Sequence, residues 1–228
     1  MRALRPWDSA ALVRARMSIV LLLERRAGMV LMVDGLFLFF ALFMALSGSG
    51  SAKDFYPTLV LLPSLVLGVP VMAETVVVER RAGTLDLALS SPGASFYFHR
   101  RVAAFAVLLI AQDWLTIVLT RLFVEPFPLS GPLIQAVSLT FFLAAAVLNW
   151  SARLKSPGAV MLATYATVIA FAPWTFSNPI HPPAAFRGTM TAVEIIDWFK
   201  QNLVLVMGGI VFLMYAVRRL SVPEKVIS

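Results

Sequence analysis

The sequence predicts an all-α polytopic membrane protein with six transmembrane helices. Three observations lead there. Hydrophobic residues make up 60% of the 228 positions and charged residues only 14%. The mean hydropathy is +0.85. Apolar stretches close to the length of a bilayer crossing recur along the chain, separated by short basic segments. A soluble domain carries about 25% charged residues, and a fold of this size in water has no interior large enough for so much apolar surface. Lipid removes that problem. A helix crossing a hydrocarbon core about 30 Å thick needs about 20 mostly apolar residues.

The predicted organisation has three parts. Residues 1–27 form an N-terminal cytoplasmic or interfacial helix, 28–217 the transmembrane domain, and 218–228 a cytoplasmic tail. The N-terminal segment carries Arg2, Arg5, Arg14, Arg16, Arg25 and Arg26. Arg14 and Arg16 are two positions apart and point to nearly opposite helix faces, so its amphipathicity is poor. It serves either as a basic anchor or as an interfacial helix that also touches a partner.

The six expected spans are Gly28–Ser47, Pro57–Val78, Val102–Leu122, Leu133–Trp150, Gly158–Phe176 and Leu203–Val217. The first is expected to stay in the chain, since it exceeds the 7–15 residues of a signal-peptide core. Within it Gly35–Leu46 is apolar on every face, unlike the alternating strands of a barrel, and such a run satisfies its own backbone only as a helix. In the second span, Pro70 with Gly68 before it predicts a kink.

Orientation follows from the basic residues. The N-terminal six, then Arg80, Arg81, Arg100 and Arg101, then Arg153 and Lys155, then Arg218, Arg219 and Lys225, place 15 of 19 on one side of the six-span arrangement. By the positive-inside rule that side is the cytoplasm. Both termini then lie there, as an even number of spans requires. The formal charge of +7 reads as topology determinants beside anionic lipid, with no nucleic-acid partner. Trp150, Trp174 and Trp198 fall near expected interfaces, whereas Trp114 is expected to pack inside.

The chain offers little catalytic chemistry. It has no cysteine, which excludes disulfides and thiolate metal sites. Neither His99 nor His181 lies near a second ligand in sequence. The dipeptide Gly-Lys is absent, so the usual phosphate-cradling loop is missing, and neither a His-Glu-x-x-His motif nor a Gly-x-Ser-x-Gly elbow occurs. No catalytic residue, metal or resident cofactor is expected. Three acids fall within spans: Asp34, Glu74 and Asp113. A central acid costs about 2.5–3.5 kcal/mol on insertion scales. Asp34 and Glu74 are near enough to the cytoplasmic end to pair with arginines. Asp113, beside Gln112 and mid-span, either faces a pathway or makes an interhelical hydrogen bond. Glu74, Gln112 and Asp113 are the pathway candidates.

Two segments outside the spans stand out. Residues 177–202 begin with Pro179, Pro182 and Pro183, which exclude a helix there. Thr191–Gln201 then places Val193, Ile196 and Phe199 on one face and Glu194, Asp197 and Gln201 on another. This predicts a short re-entrant or surface helix before the last span, with Glu194, Ile196, Asp197 and Phe199 as outer-gate candidates. The other segment is Glu79–Pro92, which reads ERRAGTLDLALSSP. Gly83 permits a sharp turn, and Thr84 can cap a new helix. Leu85, Ala88 and Leu89 share one face, and Pro92 ends the element. The result is a two-turn amphipathic helix just outside the membrane, with a face suited to a groove on a soluble partner.

That stretch resembles the loop after the second span in ABC-2 type permeases, the membrane subunits of ATP-binding-cassette exporters. Glu79, Arg80, Gly83, Thr84, Leu85, Asp86, Leu87, Leu89 and Pro92 stand where the family pattern wants them, and Ala88 departs from a commoner leucine. The resemblance implies a coupling helix that docks on a separate ATP-binding subunit. Leu85, Leu87 and Leu89 would supply apolar contacts, and Glu79 and Arg80 polar ones. It further implies two ATPase copies carrying ATP and magnesium, a second permease copy, surrounding membrane lipid, and a bacterial or archaeal cytoplasmic membrane. The residues alone also accommodate a non-transporting membrane scaffold, or an autonomous ion-coupled carrier using Asp113.

Overall fold

The computed structural model describes residues 64–81, 94–123, 126–175 and 192–220, together with Gly35, Leu36, Phe39, Leu42, Phe43 and Leu46. Among these, regular structure is exclusively helical. A π-helical turn at Ser64–Gly68 runs directly into α1, Val69–Arg81. Then come α2 (Ala94–Phe123), α3 (Ser130–Ser151), α4 (Pro157–Thr175) and α5 (Ala192–Leu220).

Three stretches are long and apolar enough to cross a membrane: Ala106–Phe123, Ser130–Ser151 and Ile195–Arg219. They fall on the third, fourth and sixth expected spans. The second and fifth fall on shorter apolar helical stretches, Ser64–Glu74 and Pro157–Ala172. Of the first, the six described positions are helical. The chain is thus an all-helical membrane protein with three helices of spanning length among the described residues. The expected N-terminal helix lies outside them, and of the expected tail 218–220 continue the last helix while 221–228 lie outside.

Two helices run further than expected. Helix α2 starts eight residues before Val102 and takes His99, Arg100 and Arg101 into its first turns. Pro92 and Gly93 precede it and nothing inside 94–101 breaks it. Its 30 residues span about 45 Å, the thickness of a bilayer with its headgroups, so the charged turns need not enter hydrocarbon. Helix α5 corrects the expectation for 191–201. From Ala192 onward that segment is no separate re-entrant or surface helix, because it continues without a break into the last span as one 29-residue helix. No proline or glycine lies between Ala192 and Met207. Asn202, at the expected junction, donates its Nδ2 to the Trp198 carbonyl one turn back at 2.9 Å.

Helix α3 is the centre. Most of its residues are buried, and it packs against α1, α2, α4, α5 and the π turn. Its side chains include Phe142, Leu143, Val147 and Leu148, all nearly inaccessible. Against it, α5 presents Gly208 and Gly209. A Cβ on Gly209 would stand 2.6 Å from Phe141 Cε1, and one on Gly208 would lie 3.0 Å from Phe142 Cε2 and 3.1 Å from Phe171 Cε1. The small residues let the helices approach closely, which is how helices associate when lipid removes the hydrophobic drive. Phe142, Phe171 and Phe212 form a tilted trio with centroids 5.0, 5.7 and 6.1 Å apart, an arrangement suited to aromatic quadrupoles.

Candidate functional site

Helix α2 turns its polar residues inward. Its buried side carries Leu109, Asp113, Thr116, Ile117 and Thr120, whereas Val107, Trp114, Leu115 and Leu122 are exposed. In water this pattern would be inverted. In lipid it is the favourable one, because the buried hydroxyls find acceptors. Thr116 donates to the Gln112 carbonyl at 3.1 Å and Thr120 to the Thr116 carbonyl at 2.8 Å.

Asp113 is the centre of the site. Only 1% exposed, it accepts two hydrogen bonds on Oδ2. Ser64 Oγ of the π turn donates at 3.0 Å and Thr140 Oγ1 of α3 at 3.1 Å. Three chain segments meet at one carboxylate oxygen. Interhelical hydrogen bonds within membranes contribute about 0.6 kcal/mol on average and up to about 1.7. Two of them offset a substantial part of the roughly 2.5–3.5 kcal/mol that an acid at mid-span costs.

The π turn has a second attachment. In the i to i+5 pattern of a π-helix, the Leu65 carbonyl would face the nitrogen of Pro70, which carries no hydrogen. Tyr165 of α4 supplies the missing donor, its hydroxyl reaching Leu65 O at 3.0 Å. The kink expected from Pro70 and Gly68 is therefore a wide helical turn held from outside. Gly68 fits against the Leu109 side chain, where a Cβ would come within 2.6 Å of Cδ1. Ser64 and Leu65 are thus tied to α2 and α4 directly, and to α3 through the shared carboxylate. Sequence reasoning missed Ser64, Thr140 and Tyr165. The one available signal was Pro70, five residues after a carbonyl that would need a donor.

The other candidates do not gather around Asp113. Glu74 is exposed on α1, ten residues beyond Ser64 and so about 15 Å along the axis. Gln112 is half-buried and its carbonyl is taken by Thr116. Ile196 and Phe199 are exposed in the first turns of α5, and Asp197 pairs with Lys200 at 3.4 Å on the surface. Glu194 belongs to the same helix. Asp34 is outside the described residues.

Trp114 departs from its expected place. It is not packed inside but 42% exposed, with Nε1 donating to the Leu133 carbonyl at 3.2 Å. Successive helical residues point about 100° apart, and Asp113 takes the interior direction. Trp150, one residue from the end of α3, is half-buried. It donates Nε1 to Thr167 Oγ1 at 2.9 Å, and the Arg153 guanidinium lies 5.5 Å from its ring centroid.

Comparison of the chain with protein-family models, curated proteins and solved structures gives no match. The site therefore stands on its own geometry. Among the described residues no group of three or more histidines, aspartates or glutamates is placed to hold a metal. What the cluster does is join helices.

Of the coupling segment, Glu79 and Arg80 lie in the last turn of α1. Gly83, Thr84, Leu85, Asp86, Leu87, Leu89 and Pro92 lie outside the described residues.

Proposed function

We propose that this chain is the permease subunit of an ABC-2 type exporter. In this reading it forms the translocation pathway as a dimer and is driven by two separate ATP-binding subunits. The chain itself is not an enzyme, and ATP and magnesium belong to the partner. The membrane is the cytoplasmic membrane of a bacterium or archaeon, with both termini on the cytoplasmic side.

The observation that carries this reading is the position of ERRAGTLDLALSSP. Helix α1 ends at Arg81 and α2 begins at Ala94, so the motif takes in the end of α1 and nearly all of the sequence joining it to α2. A docking helix needs that place, because there a push from a soluble partner is delivered to two spans at once. The distribution of basic residues supports the same side for this loop and for Arg153 and Lys155.

The test is co-purification with the candidate ATPase, comparing wild type with Leu85→Asp/Leu89→Asp. Acids on the apolar face should abolish docking while leaving membrane insertion intact. Retention of the ATPase by the double variant would sink the coupling-helix assignment. Failure of the wild type to bind a folded ATPase would favour a scaffold, or a carrier that transports alone.

A further inference from the structure

The π turn is set apart from the rest of α1 by its attachments to three other helices. Helix α1 runs directly from the turn to the loop after Arg81. The turn is held at two adjacent residues by groups of different kinds. At Ser64 the side chain is tied to Asp113 of α2, whose same oxygen binds Thr140 of α3. At Leu65 the backbone carbonyl is tied to Tyr165 of α4. A π turn interrupts the i to i+4 ladder of a helix, and here the interruption is deepened by a proline without an N–H. The internal hydrogen-bond ladder is therefore interrupted where the external hydrogen bonds are made.

We propose that Ser64–Gly68 is a latched joint. Helix α1 pivots there against the α2–α4 bundle, and Asp113 and Tyr165 are positioning residues that set its resting angle. The geometry of the joint is independent of what the protein transports. Its purpose, carrying displacement of the 79–92 loop into the bundle, rests on the permease reading. Neither residue need touch cargo. Asp113 acts through Ser64 and Thr140, and Tyr165 through the Leu65 carbonyl.

The 228-residue chain suits a distance measurement, because it has no native cysteine. Nitroxide labels at Glu74→Cys on α1 and Leu162→Cys on α4, both exposed positions, would report the joint by pulsed electron resonance in lipid nanodiscs. One dominant distance is expected with the latches intact. Tyr165→Phe keeps the ring and removes the donor, and Ser64→Ala removes the other contact. Each should lower the ratio of latched to unlatched distances by about three- to twentyfold, the range of membrane hydrogen-bond couplings. Trp150→Phe is the control. It removes an α3–α4 hydrogen bond in which the turn takes no part and should leave the distribution unchanged.

Two variants guard against one failing to fold. If the distribution of a folded Tyr165→Phe or Ser64→Ala overlays wild type, or if Trp150→Phe broadens it equally, the joint is overturned. Adding the ATPase and nucleotide should move wild type toward the distance already populated in Tyr165→Phe. An unmoved distance with the ATPase bound refutes transmission through the joint. An ATPase that does not bind counts instead against the permease reading, and the label distances of the latch variants then decide the joint by themselves.

Discussion

Replacing Thr140 by valine tests whether the Asp113 cluster holds the helices together. Thr140 is fully buried and donates to Asp113 Oδ2 at 3.1 Å, alongside Ser64 at 3.0 Å. Valine keeps the branched shape and removes one donor. Two magnitudes compete. A hydrogen bond to a charged group contributes about 1.5–3 kcal/mol in soluble proteins, but those between membrane helices average about 0.6 and reach about 1.7. The second scale applies better, because the unfolded chain in lipid also finds partners. Full burial and the acid acceptor place Thr140 at its upper end. Thr140→Val should therefore destabilise by about 1–2 kcal/mol in reversible unfolding from mixed micelles, followed by circular dichroism. In a cycle with Asp113→Ala, the coupling should be about 1 kcal/mol. Ser138→Ala provides the comparison, since that hydroxyl donates within α3 to the Ile134 carbonyl, a back-bond that does not support the helix, and its loss should cost less than the average interhelical bond of about 0.6 kcal/mol. A Thr140–Asp113 coupling inside the roughly 0.3–0.5 kcal/mol over which independent sites add would refute the reasoning.

Three further outcomes are expected. Gly209→Ala gains up to about 1 kcal/mol of helix propensity, but its Cβ would meet Phe141 at 2.6 Å with the Phe142 backbone at 3.4 Å behind it. Overpacking of about 1–3 kcal/mol should win and lower the unfolding midpoint, whereas Gly35→Ala, with open space around it, should be neutral or stabilising. Pro70→Ala restores an N–H to the turn, so Tyr165→Phe should lose most of its cost in that background, measured by the same unfolding assay. Cysteines introduced at Ser90 and Ser156 should react with an impermeant maleimide from the same side of sealed vesicles, and labelling from opposite sides would break the proposed topology.

Much of this architecture is legible in the residues alone, and the failures share a cause. Helix existence follows from apolar length, which is why spans at 133–150 and 158–176 differ from the observed helices by three residues or fewer at each end. Asp113 is conspicuous because an acid in mid-span demands an explanation. Its partners are not, since serines and threonines are ordinary in spans and only the rotation of one helix against another decides which of them meet it. The misplacement of Trp114 has the same origin, because the interior direction on α2 belongs to only one of two neighbours. The join at 191–203 is hidden for a different reason. Glu194, Asp197 and Gln201 read as the polar stripe of a separate short helix, yet polar side chains end a span without ending a helix, as the charged first turns of α2 also demonstrate.

The burial of α3 has a consequence for how the protein is made. Gln135, Ser138, Thr140 and Asn149 are all shielded in the finished fold, but part of that shield is α5, whose Gly208 and Gly209 seat Phe141 and Phe142. Some 67 residues separate Phe142 from Gly209, and at about 5–20 residues per second the ribosome needs roughly 3–13 s to supply them. Before then α3 can pack only on its predecessors and on α4, which is complete about 34 residues ahead of Gly209, and the donor and acceptor of the Thr140–Asp113 bond are both already in the chain. A bond formed at that stage would hold α3 against α2 before the last helix arrives, giving the costly carboxylate a use in assembly as well as in the finished fold.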